Sequence, residues 1–189
     1  LNLDEVSNSI NPVDDHKPTT SVVSIENTHN QCGGHPIDEE YIRNLKILCD
    51  EKKLKIHMDG ARLFNAATAL NTDVSNLTKY LDTVTFCLSK GLSCPVGSVI
   101  CGSKDIILEA KRWRKAIGGG MRQAGVFAAA GIVALNNMVD RLAEDHENAK
   151  KIGNGLADID GIEIDVDYIK TNIIRFSLKD KSFDMNKFK

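Results

Sequence analysis

Short apolar runs separated by stretches of helical length constrain this 189-residue chain more than any other feature. "SVVSI" (21–25), "LKIHMD" (54–59), "TVTFCL" (83–88) and "SVIC" (98–101) are too short for stable helices and suit buried strands. Between the first two, Ile37, Tyr41, Ile42, Leu45, Leu48 and Cys49 recur at helical spacing. Pro36 stands early, and Asp38, Glu39 and Glu40 fall where a helix N-terminus favours negative charge. Residues 63–70 fill the next interval, followed by a short helix that Ser75 can cap, carrying Leu77, Tyr80 and Leu81. Strand and helix alternate over 21–120. That order predicts parallel crossover units, hence an α/β fold with a mainly parallel sheet and helices on both faces.

The rest of the chain reads differently. Residues 1–20 hold two prolines and resemble a helix end followed by a loop. Ser103 caps a helix with Ile106, Ile107, Ala110 and Trp113 on its apolar side. An Ala-rich helical region runs from 126 to about 157, with a break near Asn136 or Asn137. Residues 162–166 and 173–177 have the character of strands in a smaller unit. The expected division is 1–135 as part of a larger domain, and 136–189 as a linking helix and the start of a second, smaller α/β domain.

A net charge of −2 argues against nucleic acid or an anionic membrane as the main partner. No run approaches the ~18 apolar residues of a membrane span. Five cysteines, an odd number with no CxxC pair, read as reduced thiols in a cytoplasmic protein. Cys94, though in a loop, is expected to be packed and not reactive. The chain begins with Leu1 and closes on "KDKSFDMNKFK", which suggests a fragment at both ends.

In sheets of this kind ligands gather beyond the carboxyl ends of the strands. A polar loop follows Ile25, Asp59 follows Met58, and Lys90 follows Leu88. A lysine amine whose charged form is disfavoured is a nucleophile. One common use is a Schiff base to pyridoxal phosphate, whose ring nitrogen then needs a carboxylate to stay protonated. On spacing alone, Asp59 reads more readily as the cap of the helix opened by "DGAR". His57 is expected to be a packed or hydrogen-bonded core histidine. "HNQCGGH" has no second half to complete a zinc site, so no metal is expected. Gly118, Gly119 and Gly120 lack a surrounding GxxxxGK[ST] pattern and read as a flexible turn.

Four segments together, "ENTHNQCGG", "HMDGARLFNA", "FCLSKGLSCPVGS" and "RWRKAIGGGMRQAG", resemble the low-specificity L-threonine aldolases. These are pyridoxal-phosphate enzymes of the aspartate-aminotransferase-like fold. The likeness runs from about Asp14 to Ser177, with a departure at Ser93 and Cys94, where Gly-Ala or Gly-Thr is more usual. It implies that Lys90 carries the cofactor as a Schiff base and that Asp59 partners the ring nitrogen. It implies Arg62 near the cofactor's phenolic oxygen and the substrate carboxylate, and Ser89 at the phosphate. Lys115 and Arg122 would face a neighbouring subunit's site in a homodimer or homotetramer. The reaction implied is cleavage of L-threonine or L-allo-threonine, or a similar β-hydroxy amino acid, to glycine and an aldehyde. Relatives extend at both ends, so this chain alone is expected not to assemble a whole site. Two other readings stand beside it: another pyridoxal-phosphate lyase or aminotransferase of the same fold, and an inactive truncated scaffold.

Overall fold

A computed structural model describes residues 2–180 and Ser182. Its helices are α1 (Leu3–Asn8), α2 (Glu39–Glu51), α3 (Leu63–Ala69), α4 (Val74–Thr78), α5 (Lys104–Ala116), α6 (Gly125–Asn137) and α7 (Leu142–Ala157). Its strands are β1 (Val22–Glu26), β2 (Lys55–Asp59), β3 (Thr83–Cys87), β4 (Ser98–Gly102), β5 (Ile162–Glu163) and β6 (Ser177–Leu178). The first four form one sheet in sequential order. β1, β2 and β3 are parallel, with Ile25 opposite Met58 and Met58 opposite Val84. β5 and β6 form a separate antiparallel pair.

The register follows from which side chains must leave water. Ile42, Leu45 and Cys49 of α2 and Leu77 of α4 are fully buried together with Ile56 and Met58 of β2. Each large apolar side chain of this set stabilises the fold by roughly 1.5–3 kcal/mol. A slip of one residue in β2 would turn Ile56 and Met58 outward, so the pairing is strongly specified. The alternate positions then have no choice. Ser24, His57 and Thr83 share one row of the opposite face, and Glu26, Asp59 and Thr85 share the next. His57 is half-buried there, and its Nδ1 lies 2.8 Å from the Thr83 hydroxyl.

Several boundaries differ from the sequence reading. Asp73, not Ser75, caps α4, because its carboxylate accepts from the Ser75 N–H at 2.7 Å. β4 runs antiparallel to β3, with Cys87 opposite Ser98. Its link is a ten-residue loop, too short for the helix a parallel crossover needs. The apolar side expected on α5 exists, yet Ile106 and Trp113 are exposed, Trp113 by 62%. The helical break is real: α6 ends at Asn137, and α7 leaves at 72° to it. The two C-terminal strands shrink to two residues each, with a 3₁₀ turn at Val166–Tyr168 between them. Most of the closing "KDKSFDMNKFK" lies outside the described residues.

Candidate active site

Lys90 sits on a loop held at both flanks by apolar burial. Leu88, Leu92 and Cys94 pack with Ala134 and Leu142 in a second core cluster. The Leu88 N–H donates to Gly97 O at 2.9 Å, and the Cys94 N–H donates back to Leu88 O at 3.0 Å. The Ser93 N–H closes on Lys90 O at 2.9 Å. Burial of Leu88 and Leu92 therefore forces the intervening Ser89 and Lys90 outward, and both are exposed. The Lys90 ammonium donates to Cys87 Sγ at 3.1 Å. Cys94 is buried, as its sequence setting predicts.

A buried polar pair backs this loop. A side chain at Gly91 would put its Cβ 2.7 Å from Leu142 Cδ2 and 3.4 Å from Asn65 Oδ1. Asn65 of α3 in turn donates from Nδ2 to His146 Nε2 of α7 at 3.1 Å. Burial pushes the His146 pKa below its ordinary value, with Lys150 adding to the effect and Asp145 opposing it. The turn after the lysine is thus wedged between α3 and α7.

Asp59 ends β2 directly opposite Thr85. Its carbonyl accepts the Asn27 N–H at 2.9 Å, which ties it to the end of β1. Its Oδ1 accepts the Ala61 N–H at 2.9 Å, so the capping turn expected from "DGAR" is present. The Gly60 N–H donates to Thr85 O at 2.7 Å. A Cβ there would stand 2.6 Å from the same oxygen, so only glycine lets the chain approach β3 this closely. Arg62 follows, half-buried, just before α3. Among the described residues, none of Asp59, Arg62 and Lys90 joins an ion pair.

The loop after β1 supplies groups that spacing alone did not single out. Asn27 is fully buried, and its amide grips the Ile37 peptide by two hydrogen bonds of 3.0 Å. Thr28 Oγ1 and His29 Nδ1 are buried without a hydrogen-bond partner among the described residues, while His29 Nε2 lies 3.3 Å from Glu26. The available signal was "ENTHN" placed directly after a strand. Within "HNQCGGH", His35 Nε2 lies 2.8 Å from Tyr168 O, and its ring meets the Tyr168 ring at a tilt of 36° with centroids 3.9 Å apart. Tyr168 OH donates to Cys32 O at 3.2 Å, and Thr171 Oγ1 donates to Gly34 O at 2.8 Å.

Lys115 lies in the last turn of α5, and Arg122 lies in the loop beyond it. Both are exposed, and no hydrogen bond or ion pair among the described residues joins either to Lys90, Asp59 or Arg62. A cleft of about 640 Å³ between the far end of α3 and α6, lined by Phe64, Asn71 and Asp140 among others, includes none of the candidate residues.

The family model described as "Beta-eliminating lyase" matches residues 1–179. The chain belongs to this family. It is 50% identical over 149 residues to the low specificity L-threonine aldolase of Escherichia coli (strain K12), covering 79% of this chain and 44% of that protein. It is 45% identical over 165 residues to low-specificity L-threonine aldolase 1 of Arabidopsis thaliana, covering 87% and 46%. The solved threonine aldolase of Leishmania major superposes with a TM-score of 0.68 at 19% identity, covering 87% of this chain and 48% of that one. That likeness establishes the fold: an α/β architecture with a mainly parallel sheet, shared with about half of the solved chain. The chain spans about half the length of the curated relatives it matches.

Proposed function

We propose that this chain forms part of a pyridoxal-phosphate-dependent aldehyde-lyase that cleaves L-threonine or L-allo-threonine to glycine and acetaldehyde. The observation that carries the reading is Lys90, Asp59 and Arg62 at the carboxyl ends of adjacent parallel strands, free of ion pairs among the described residues. An amine, a carboxylate and a guanidinium left unneutralised at one sheet end match the cofactor's carbonyl carbon, its ring nitrogen and a substrate carboxylate. The buried Thr28 hydroxyl and His29 Nδ1, after the neighbouring strand β1, add hydrogen-bonding capacity that no other described residue takes up.

Lys90 would hold the cofactor through its amine, with Ser89 next to it for the phosphate. When bound, the cofactor supplies a conjugated ring that takes up the electron pair left at the substrate's α-carbon. Asp59 keeps a proton at the ring nitrogen; its Oδ1 is occupied by Ala61, which leaves Oδ2 for that task. Arg62 orients the substrate carboxylate, for which its planar fork is suited. Loss of the β-hydroxyl proton and rupture of the Cα–Cβ bond release acetaldehyde, and a proton delivered to Cα gives glycine. Lys90, in its ammonium form, would be the donor of that proton.

Lys115 and Arg122 belong in this proposal to the turn that reaches a partner subunit's site in a homodimer or homotetramer. A cytoplasmic location accords with five free thiols. Among the described residues, no single helix is long and apolar enough to cross a membrane. Residues 136 onward would begin the smaller domain. The description of the family favours one alternative, β-elimination, which from threonine yields 2-oxobutyrate and ammonia instead of glycine and aldehyde.

Borohydride reduction of the complete protein with pyridoxal phosphate bound should place the label on Lys90, with glycine released from threonine beforehand. Label on Lys115 or another lysine refutes the assignment, and 2-oxobutyrate with ammonia as the product refutes the reaction.

A further inference from the structure

Cys87 and Lys90 form a pair that the proposed reaction does not use. The Lys90 ammonium lies 3.1 Å from Cys87 Sγ, across three residues of chain that the burial of Leu88 holds in place. The thiol is half-buried, on the row of β3 that points away from the buried Val84. We propose that this pair is a reversible oxidative modification site, in which a peroxide links Cys87 and Lys90 through a sulfur–nitrogen bond.

The step balances as follows. The Cys87 sulfur attacks hydrogen peroxide and the O–O bond breaks, giving a sulfenic acid and water. The deprotonated Lys90 amine then attacks that sulfur, the S–O bond breaks, and the hydroxyl leaves as a second water. Two electrons pass from sulfur to peroxide, and the protein loses two hydrogen atoms. Sulfenic acids condense with nearby nitrogen in this way, or with a thiol where one is closer. A small-molecule thiol reverses the link: one equivalent takes the sulfur and frees the amine, and a second frees the Cys87 thiol as the disulfide departs.

The other cysteines are poorly placed to compete. Cys101 is opposite Val84, three residues along the sheet from Cys87. That is roughly 10 Å, beyond the reach of a disulfide. Cys49 is buried in α2. Cys32 follows β1, two strands away from β3. Cys94 is the nearest in the chain fold, but its thiol is buried with Leu88, whose side chain alternates to the face opposite Cys87. The amine is therefore the first nucleophile a Cys87 sulfenic acid meets. Its consequence, though not its chemistry, rests on the proposed role of Lys90: a lysine bonded to sulfur cannot receive the cofactor, and a lysine already holding the cofactor is protected.

The test uses the complete protein, stripped of cofactor, treated with hydrogen peroxide and digested with trypsin. Peptide 80–104 should appear uncut at Lys90 and lighter by two hydrogens. It should vanish after dithiothreitol, be absent from Cys87→Ser, and be suppressed when pyridoxal phosphate is bound before the peroxide. Recovery of Cys87 as a sulfinic acid or as a disulfide to Cys94, with cleavage at Lys90 unimpaired, overturns the proposal. Uptake of pyridoxal phosphate is measured in parallel. If the link forms and uptake persists, the modification stands and the assignment of Lys90 as the cofactor lysine fails.

Discussion

Replacing Gly34 by alanine should separate the C-terminal segment from the loop behind β1. Gly34 has φ +70°, and an added Cβ would stand 2.4 Å from Thr171 Oγ1 and 2.7 Å from Ile173 Cγ1. Three costs combine. A Cβ in the left-handed region costs about 1–2 kcal/mol. Forcing a methyl into a filled space costs about 1–3 kcal/mol. Thr171, fully buried, must swing its hydroxyl away from Gly34 O, forfeiting a 2.8 Å hydrogen bond worth about 1 kcal/mol. The sum is about 3 kcal/mol or more, a large part of the ~5–15 kcal/mol that holds a domain folded. Gly118 provides the control. It also has positive φ, +86°, but a Cβ there meets nothing within 4 Å, so Gly118→Ala carries the first cost alone. Urea unfolding of the complete protein should therefore show a midpoint shift two- to threefold larger for Gly34→Ala, roughly in proportion to these energies. Limited proteolysis should open residues 166–175 in that variant first. Equal midpoint shifts for the two variants would refute the reasoning, because they would mean that segment 166–175 does not press on the loop.

Two further outcomes are expected. His146 binds its proton less readily folded than unfolded, since burial lowers its pKa; its contribution to stability is complete above the ordinary histidine value of ~6.5 and is lost as pH falls from there through the lower folded value. Stability measured across that window should decline for the native chain and flatten for His146→Gln, and an unchanged slope would exclude His146 as the source. Asp59→Asn keeps an oxygen for the Ala61 N–H, so stability should stay within about 0.5 kcal/mol while turnover falls by about 10²–10³, the scale of a lost electrostatic contact to developing charge. Near-full activity would leave Asp59 as a cap alone.

How much of this was legible beforehand depended on how local the determinants were. β1, β2, β3 and α2 were readable because alternation and the 3.6-residue stripe arise from neighbours a few residues apart. Lys90 and Asp59 were readable because their place, the end of an apolar run, is itself a sequence property. The direction of β4 was not, since "SVIC" would suit either sense and only the loop length decides. Ser75 lost its capping role to Asp73 because both can accept a backbone N–H, and the boundary moved by two residues. The C-terminal strands are shorter than expected for a related reason. Ile169 is buried and, with Ile164, lies beside Gly153 of α7, so these side chains pack on a helix and do not extend a ladder. Contacts between distant segments left little trace. Tyr168 with Cys32, Thr171 with Gly34 and Asn65 with His146 join residues 81–137 positions apart. Gly33 and Gly34 hinted at them only as permission for a positive φ, without naming what approaches.

The two readings of Asp59 turn out not to compete. A carboxylate has two oxygens, and the capping turn uses one. That turn is also what fixes the direction of the other. The Gly60 N–H is anchored to β3 through Thr85 O, and the Asp59 carbonyl is anchored to β1 through the Asn27 N–H. With backbone bonds to both neighbouring strands and Oδ1 held by Ala61, the remaining oxygen has little freedom to turn. Spacing favoured the cap because caps are common; the resemblance favoured the cofactor because the motif is specific. In the proposed site the cap would be the device that aims the acid. The same logic governs Lys90, whose exposure follows from the burial of Leu88 and Leu92 on either side. In both cases ordinary local structure, a turn or an apolar anchor, positions a charged group that has no ionic partner among the described residues.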